Sequence, residues 1–358
     1  MIVRRLIVVS ILLLVALILK KSMTYAQPNI NHSSHEITIF TIPSVKLIDW
    51  ESPSELYKST LKCYMSSIFK KTYYVIGHMS AIITSPILES PIYAGMTGAS
   101  QIEKVQQVLI KKLGLGVFGT TLKGKMEPVD KMKKTTSFYA KRDKIAYMRF
   151  RVNEESIRRV MQFITYFQKK NELGYAPCNM YNGALNPRYH HEGAACSSFV
   201  IALMEVAGIL PEFAAQKWAV NVNLPMHLIG GKLNDKKRIS LKSIIQTKAW
   251  HDGSGVEGVD YAHLELYDPA LIYNWIQQQR KEGNDKDFVS ESDGIFKGLF
   301  ADKSTVSFSK DEKILLQRTP MTFFAKSFLD VKVNGHLKVE LPVTSDLCKE
   351  KVSAPLDL

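Results

Sequence analysis

The chain has 358 residues with 47 Lys and Arg against 34 Asp and Glu, a formal charge of +13, which favours anionic surroundings. The basic residues are scattered apart from short clusters such as Lys131-Lys133-Lys134 and Lys236-Lys237-Arg238, and no aromatic-interleaved basic stretch is present, so a nucleic-acid groove is excluded as a partner site. No internal repeat or low-complexity tract appears, and the length is enough to bury a sizeable core in one large domain or two small ones.

The N-terminus reads as a targeting segment. Arg4 and Arg5 precede Leu6 to Leu19, an apolar run relieved only by Ser10. A membrane-crossing helix needs about twenty apolar residues, and this run is shorter. A charged start, a short apolar core and the small-residue exit Thr24-Tyr25-Ala26 make residues 1–26 a secretory signal cleaved after Ala26. Lys20 and Lys21, just after the run, argue instead for an uncleaved anchor, and both readings stand. Either way the protein is expected to be exported, to lie in the periplasm or cell envelope, and to touch the membrane only through this segment. Cleavage would remove four positive charges and no acid, leaving +9 (13 minus 4).

Residues 27–54 form a lead-in in which Ile37, Ile39 and Ile42 alternate in part, and the body begins near Glu55. Tyr73 to Thr84 is rich in β-branched and aromatic residues and predicts a strand, Ser85-Pro86 a turn, and Ile87 to Tyr93 the returning strand of a hairpin. Gln101 to Leu113 predicts a helix closed by Gly114. Ile145 to Val152 alternates as a strand, and Asn153 caps a helix lined on one face by Ile157, Val160, Met161, Ile164 and Phe167. A turn-rich loop, residues 174–195, leads into a second helix that buries Phe199, Val200, Leu203, Met204 and Ala207 and stops at Gly208 before Pro211. Tyr267-Asp268-Pro269 opens another helix through Trp275, and residues 282–287 read as a linker. Thr305 to Phe308, Lys313 to Gln317, Met321 to Ala325 and Leu337 to Leu341 predict a strand-rich C-terminal extension over 288–358.

The sharpest chemical feature is Gly193-Ala194-Ala195-Cys196-Ser197-Ser198, a cysteine placed by small residues at a helix start. The unpaired N–H groups and positive dipole end there stabilise a thiolate, and the Cys196 amide is positioned to hold an oxyanion. His78 lies in a β-run, on one face with Ser80 and Thr84. A nucleophile needs a base and the base an orienting partner; Glu89 in the returning strand is the candidate for the latter, with Ser90 or a residue outside the hairpin, such as His263 or Asp268, as alternatives.

This order of glycine-histidine strand, polar residue and helix-start cysteine resembles the circularly permuted papain-like (NlpC-type) thiol hydrolases, a group that includes the lecithin retinol acyltransferases and related bacterial envelope proteins. The resemblance covers about residues 61–210. It implies an α+β fold, a small antiparallel sheet packed against helices, occupying residues 55–282 with insertions. It further implies Cys196 as nucleophile, His78 as general base and Glu89 as the orienting group of a cysteine hydrolase that needs no cofactor. The implied substrate is an amide of a cell-wall (peptidoglycan) peptide, with a lipid or acyl ester as the alternative. Competing readings keep the cysteine out of catalysis. Cys63, Cys178, Cys196 and Cys348 in an oxidising compartment suggest disulfides, Cys178 with Cys196 among them, in a non-catalytic binding protein. His190-His191-Glu192 with Cys178 lacks the regular ligand spacing of a zinc site, so no metal is expected, and the two histidines are placed in the cleft near the thiol.

Overall fold

The partly alternating isoleucines of the lead-in form the middle of the main sheet. The computed structural model describes residues 25–29, 33–98, 106–107 and 110–333, so the leader or anchor read in residues 1–26 lies outside them except for Tyr25 and Ala26. Most of the helix expected from Gln101 to Leu113, the strand Leu337 to Leu341 and Cys348 also lie outside the described residues.

The elements run β1 (Glu36–Ile42), α1 (Pro53–Phe69), β2 (His78–Thr84), β3 (Ile92–Ala94), β4 (Met96–Gly98), β5 (Leu122–Met126), α2 (Val129–Ala140), β6 (Ala146–Arg151), α3 (Glu154–Gln168), β7 (Met180–Tyr181), α4 (Cys196–Val206) and α5 (Ala214–Lys217). They continue with β8 (Ala219–Pro225), α6 (Leu241–Gln246), β9 (Tyr261–Tyr267), α7 (Pro269–Glu282), β10 (Val289–Asp293), β11 (Phe296–Asp302) and α8 (Phe323–Val333). The fold is α+β. Its main sheet has six strands in the order β10-β11-β6-β1-β2-β3, antiparallel except where β11 runs parallel to β6. A three-stranded sheet β4-β5-β7 and the pair β8-β9 stand beside it.

Every residue of β1 is buried because both faces of the sheet are covered. Ile37 and Ile39, with Met79, Ala81 and Ile83 of β2, pack against α3, α4 and α7, while Phe40, Ile42 and Ile82 pack with Tyr139 and Ala140 of α2. A strand buried on two sides has no reason to alternate cleanly. A hairpin forms, with Ile83 opposite Ile92, but its first strand starts at His78 rather than Tyr73, and its returning strand is Ile92–Ala94 rather than Ile87 to Tyr93, residues 85–91 forming a long turn. The Tyr73 and Tyr74 amides donate instead to the Tyr139 hydroxyl of α2.

The two amphipathic helices form as expected. The Asn153 side chain accepts from the Ser156 amide at the start of α3, and Gly208, at φ +69°, turns the chain out of α4. Phe199 of α4 lies against Phe163 and Phe167 of α3 with ring centroids 5.8 and 5.0 Å away.

The strand-rich extension takes a different form. β10 and β11 join the main sheet, residues 305–308 and 313–317 form no strand, and Met321 to Ala325 leads into α8. Residues 306–318 lie as a strap pinned by charged side chains: Arg159 to Glu312 at 2.6 Å, Arg318 to Glu192 at 2.7 Å, and Arg188 to the carbonyls of Lys313 and Ile314. Arg188 takes the Lys313 and Ile314 carbonyls, which a strand ladder would have used, and Leu316 pairs only in an isolated bridge with Tyr189.

Phe199→Ala should lower stability by about 3–5 kcal/mol, read as a lower urea midpoint. A loss below about 1 kcal/mol would mean that α4 is not locked against α3 as described.

Candidate active site

His78 is the first residue of β2, at the end of the sheet that faces the start of α4, and its side chain is buried. Its Nε2 lies 2.7 Å from Glu127 Oε2. Glu127 follows β5 directly, and its amide donates to the Gly95 carbonyl at 2.8 Å, which ties it to the β3–β4 corner. The other carboxylate oxygen, Oε1, accepts from the Tyr74 hydroxyl and from Lys131 Nζ at 2.7 Å, one helical turn further on. The Tyr74 ring also stacks on the imidazole, centroids 3.9 Å apart and planes 7° from parallel. The imidazole is therefore fixed by an edge contact and a face contact at once.

The Cys196 side chain hydrogen-bonds to His78. With Nε2 committed to Glu127, Nδ1 is the ring nitrogen left for the sulfur. Cys196 is the first residue of α4, where backbone N–H groups have no intrahelical acceptor. A third group closes the cluster: Tyr181, whose hydroxyl lies 3.9 Å from Cys196 Sγ and accepts from the Cys196 amide. Tyr181 is brought there by β7, which pairs with β5, and by the close antiparallel run of 180–182 against 193–195. Gly193 permits that approach, since a Cβ there would strike the Met180 carbonyl.

The electrostatics follow from the geometry. Burial alone would lower the His78 pKa, but the Glu127 charge and the hydrogen bonds to Cys196 and Glu127 outweigh it and raise the value to about 9. Burial would raise Glu127, yet the His78 charge with its hydrogen bond, and Lys131, lower it to about 2. Burial, then the Cys196 sulfur, holds the Tyr181 phenol well above its ordinary value, so it stays a proton donor. At neutral pH the cluster therefore holds an imidazolium between a carboxylate and a sulfur.

These groups open on a cavity of about 180 Å³. Its walls include Trp50, Tyr64, Val75, Ile76, Phe118 and Leu266, and among the described residues no lysine or arginine lines it. Asp268 also lines it, but both its oxygens are engaged, Oδ2 by the Trp50 indole at 2.9 Å and Oδ1 by the Ala270 amide at 2.8 Å.

His78 and Cys196 thus meet as the sequence implied, whereas Glu89 does not join them. Glu89 and its alternative Ser90 lie exposed in the turn beyond Thr84, at the far end of β2 from His78; six strand steps span roughly 20 Å. Glu127 takes the expected place of Glu89. His263 faces Asn223 at 3.0 Å and does not line the cavity. His190 and His191 are likewise outside the cleft: the His190 amide donates to the Leu316 carbonyl, and His191 pairs with Glu172 at 3.2 Å. Cys63, Cys178 and Cys196 are thiols, so the Cys178–Cys196 disulfide is not formed.

Sequence reasoning missed Glu127, Tyr74 and Tyr181. Glu127 belongs to no motif in the sequence, and its one local signal is Lys131 four residues on. Tyr181 lies within the turn-rich loop with no pattern to single it out. No family model matches the chain, and no curated protein or solved structure matches it.

Linkage gives a test of the buried pair. His78, with its pKa raised, contributes stability that is full below 6.5 and lost as pH rises through about 9. Glu127, with its pKa lowered, contributes stability that is full above 4.5 and lost as pH falls through about 2. Glu127→Gln should therefore cost most between pH 4.5 and 6.5, by roughly 3–5 kcal/mol, and less at pH 9 in urea titrations. A cost that is the same at pH 5.5 and pH 9 would refute the coupling.

Proposed function

We propose that the protein is a thiol acyl hydrolase or acyltransferase of permuted papain-like architecture, with Cys196, His78 and Glu127 as its triad. The observation that carries this reading is a single buried imidazole held between a carboxylate on one nitrogen and the helix-start sulfur on the other. At neutral pH the thiol proton already lies on His78 Nδ1, so Cys196 acts from a thiolate paired with the imidazolium and attacks the substrate carbonyl carbon. The carbonyl π pair moves to oxygen, where the Cys196 amide and the Tyr181 hydroxyl donate to it. Collapse re-forms the carbonyl and expels the alcohol or amine, which takes the proton from His78, leaving a thioester on Cys196. Water or another acceptor, deprotonated by the now neutral His78, attacks that thioester and expels the Cys196 thiolate, which restores the thiolate and imidazolium pair. Glu127 stays ionised throughout and holds the ring; Tyr74 and Lys131 hold Glu127.

The wall chemistry orders the substrates. Stem peptides of peptidoglycan carry free carboxylates and would need a cation beside them, but among the described residues no lysine or arginine lines the cavity and the lining carboxylate, Asp268, is already bonded. Apolar and aromatic walls suit an apolar acyl group in ester or amide linkage. The acyl reading therefore stands ahead of the cell-wall peptide reading in the compartment that the N-terminal segment implies.

Incubation with p-nitrophenyl octanoate should leave an acyl adduct on Cys196 by mass spectrometry, and iodoacetamide should alkylate the same sulfur rapidly near neutral pH. Cys196→Ala should abolish both, and hydrolysis surviving in that variant would refute the mechanism. Tyr181→Phe should lower kcat by roughly a hundredfold.

The pH profile offers an independent check. The basic limb of kcat/KM should fall near pH 9, where His78 loses its proton. Removing the Glu127 charge lowers the His78 pKa, so in Glu127→Gln that limb should move down by about 1–2 units. A limb that stays in place would disconnect Glu127 from the ring.

A further inference from the structure

Helix α1 presents two faces to different surroundings. Leu56, Ser59 and Cys63 are buried against the body, and Tyr64 reaches the cavity wall. On the opposite side Leu61, Met65, Ile68 and Phe69 are exposed, Ile68 by 73% and Phe69 by 83%. Single exposed apolar residues are ordinary in a soluble protein, but a contiguous set of bulky ones marks a docking surface. Leu61, Met65 and Ile68 follow the i, i+4, i+7 spacing of one stripe. Leu61 and Ile68 are also the i−3 and i+4 neighbours of Tyr64, so the stripe runs up to the mouth of the cavity. Ile76, another exposed residue, lies on that mouth as well.

Charge decides what the stripe fits. Between Glu55 and Glu89 the chain has four lysines, Lys58, Lys62, Lys70 and Lys71, and no Asp or Glu. Lys62, Lys70 and Lys71 are exposed next to the apolar residues. Apolar side chains that can reach acyl chains, flanked by lysines whose stems extend to phosphates, match the interface of an anionic bilayer. In the anchor reading of the N-terminus, the Leu6 to Leu19 apolar run would hold the same chain at a membrane.

We propose that α1 docks on an anionic bilayer surface, Leu61, Met65, Ile68 and Phe69 entering the interface and Lys62, Lys70 and Lys71 meeting the headgroups, so that the cavity mouth opens at the lipid. Membrane contact then extends beyond the N-terminal segment to which the sequence reading confined it. This surface is independent of the acyl-transfer chemistry and stands or falls without it.

The test uses the full chain in a Cys196→Ala/Cys348→Ser background, which is chemically inert, with a single environment-sensitive fluorophore attached at Phe69→Cys or, as control, at Val289→Cys on β10. Both positions are exposed, and Cys63 and Cys178 are buried. Every variant keeps the same N-terminal segment, so the contrast between the two positions reports on α1 alone. With vesicles of phosphatidylcholine containing roughly a third phosphatidylglycerol, emission at position 69 should shift to the blue and rise several-fold, while position 289 stays water-like. Lys62→Glu/Lys70→Glu/Lys71→Glu should remove the response. Water-like emission at position 69 on vesicles with which the chain floats would overturn the proposal, as would a response indifferent to phosphatidylglycerol or to the charge reversals. A blue shift that grows with protein concentration without lipid would overturn it too, by showing that a second copy covers the stripe.

Discussion

The site depends on one buried contact, the 2.7 Å approach of Glu127 to His78. Taking a carboxylate and an imidazolium out of water is costly, and their mutual attraction compensates only where the remaining lone pairs also find donors. Here they do: His78 takes one oxygen, while Tyr74 and Lys131 share the other. The same contact keeps the ring charged at neutral pH and leaves its other nitrogen facing the sulfur, so a stabilising interaction and a chemical one are the same bond.

Much of the surrounding architecture can be understood as positioning for that bond. The main sheet supplies His78 at the end of an inner strand, and α4 is held by its apolar face to the same sheet, so its N-terminus lies at that end. The small β4-β5-β7 sheet does the remaining work. β5 places Glu127 at its C-terminal end, and β7, paired with the same strand, places Tyr181. Carboxylate and phenol therefore reach the imidazole and the sulfur from one short sheet, whose Met96, Met126 and Tyr181 also pack on the main core. Loss of Phe199 packing should affect the fold at every pH, whereas the cost of losing Glu127 should follow the charge of His78.

The cavity and α1 extend the same logic outward. Tyr64 belongs to the cavity wall, and its neighbours on the helix surface belong to the solvent face. An apolar lining that continues onto an apolar exterior gives a water-poor path for an apolar group, and the lysines set which exterior that path meets.

By itself the sequence determined those elements whose signal is local. The Asn153-capped helix, the hairpin after His78, the helix begun at Cys196 and ended by Gly208, and the Asp268-Pro269 helix start all follow from periodicity, capping and turn chemistry acting within a few residues. The pairing of His78 with Cys196 was also legible, through the order of the motifs. What only the tertiary structure decided are the contacts between segments that carry no mark of one another. Glu127 stands 49 positions from His78 and reaches it because β5 ends beside the β3–β4 corner, whereas Glu89, close in sequence, is carried by the extended strand to the opposite end. Lead-in residues became the central strand because both faces were covered, which erased their alternation, and the expected strands of the C-terminal segment became a strap because arginines elsewhere claimed its carboxylates and carbonyls. Local periodicity encodes which element a segment forms; only packing sets which side chains then meet.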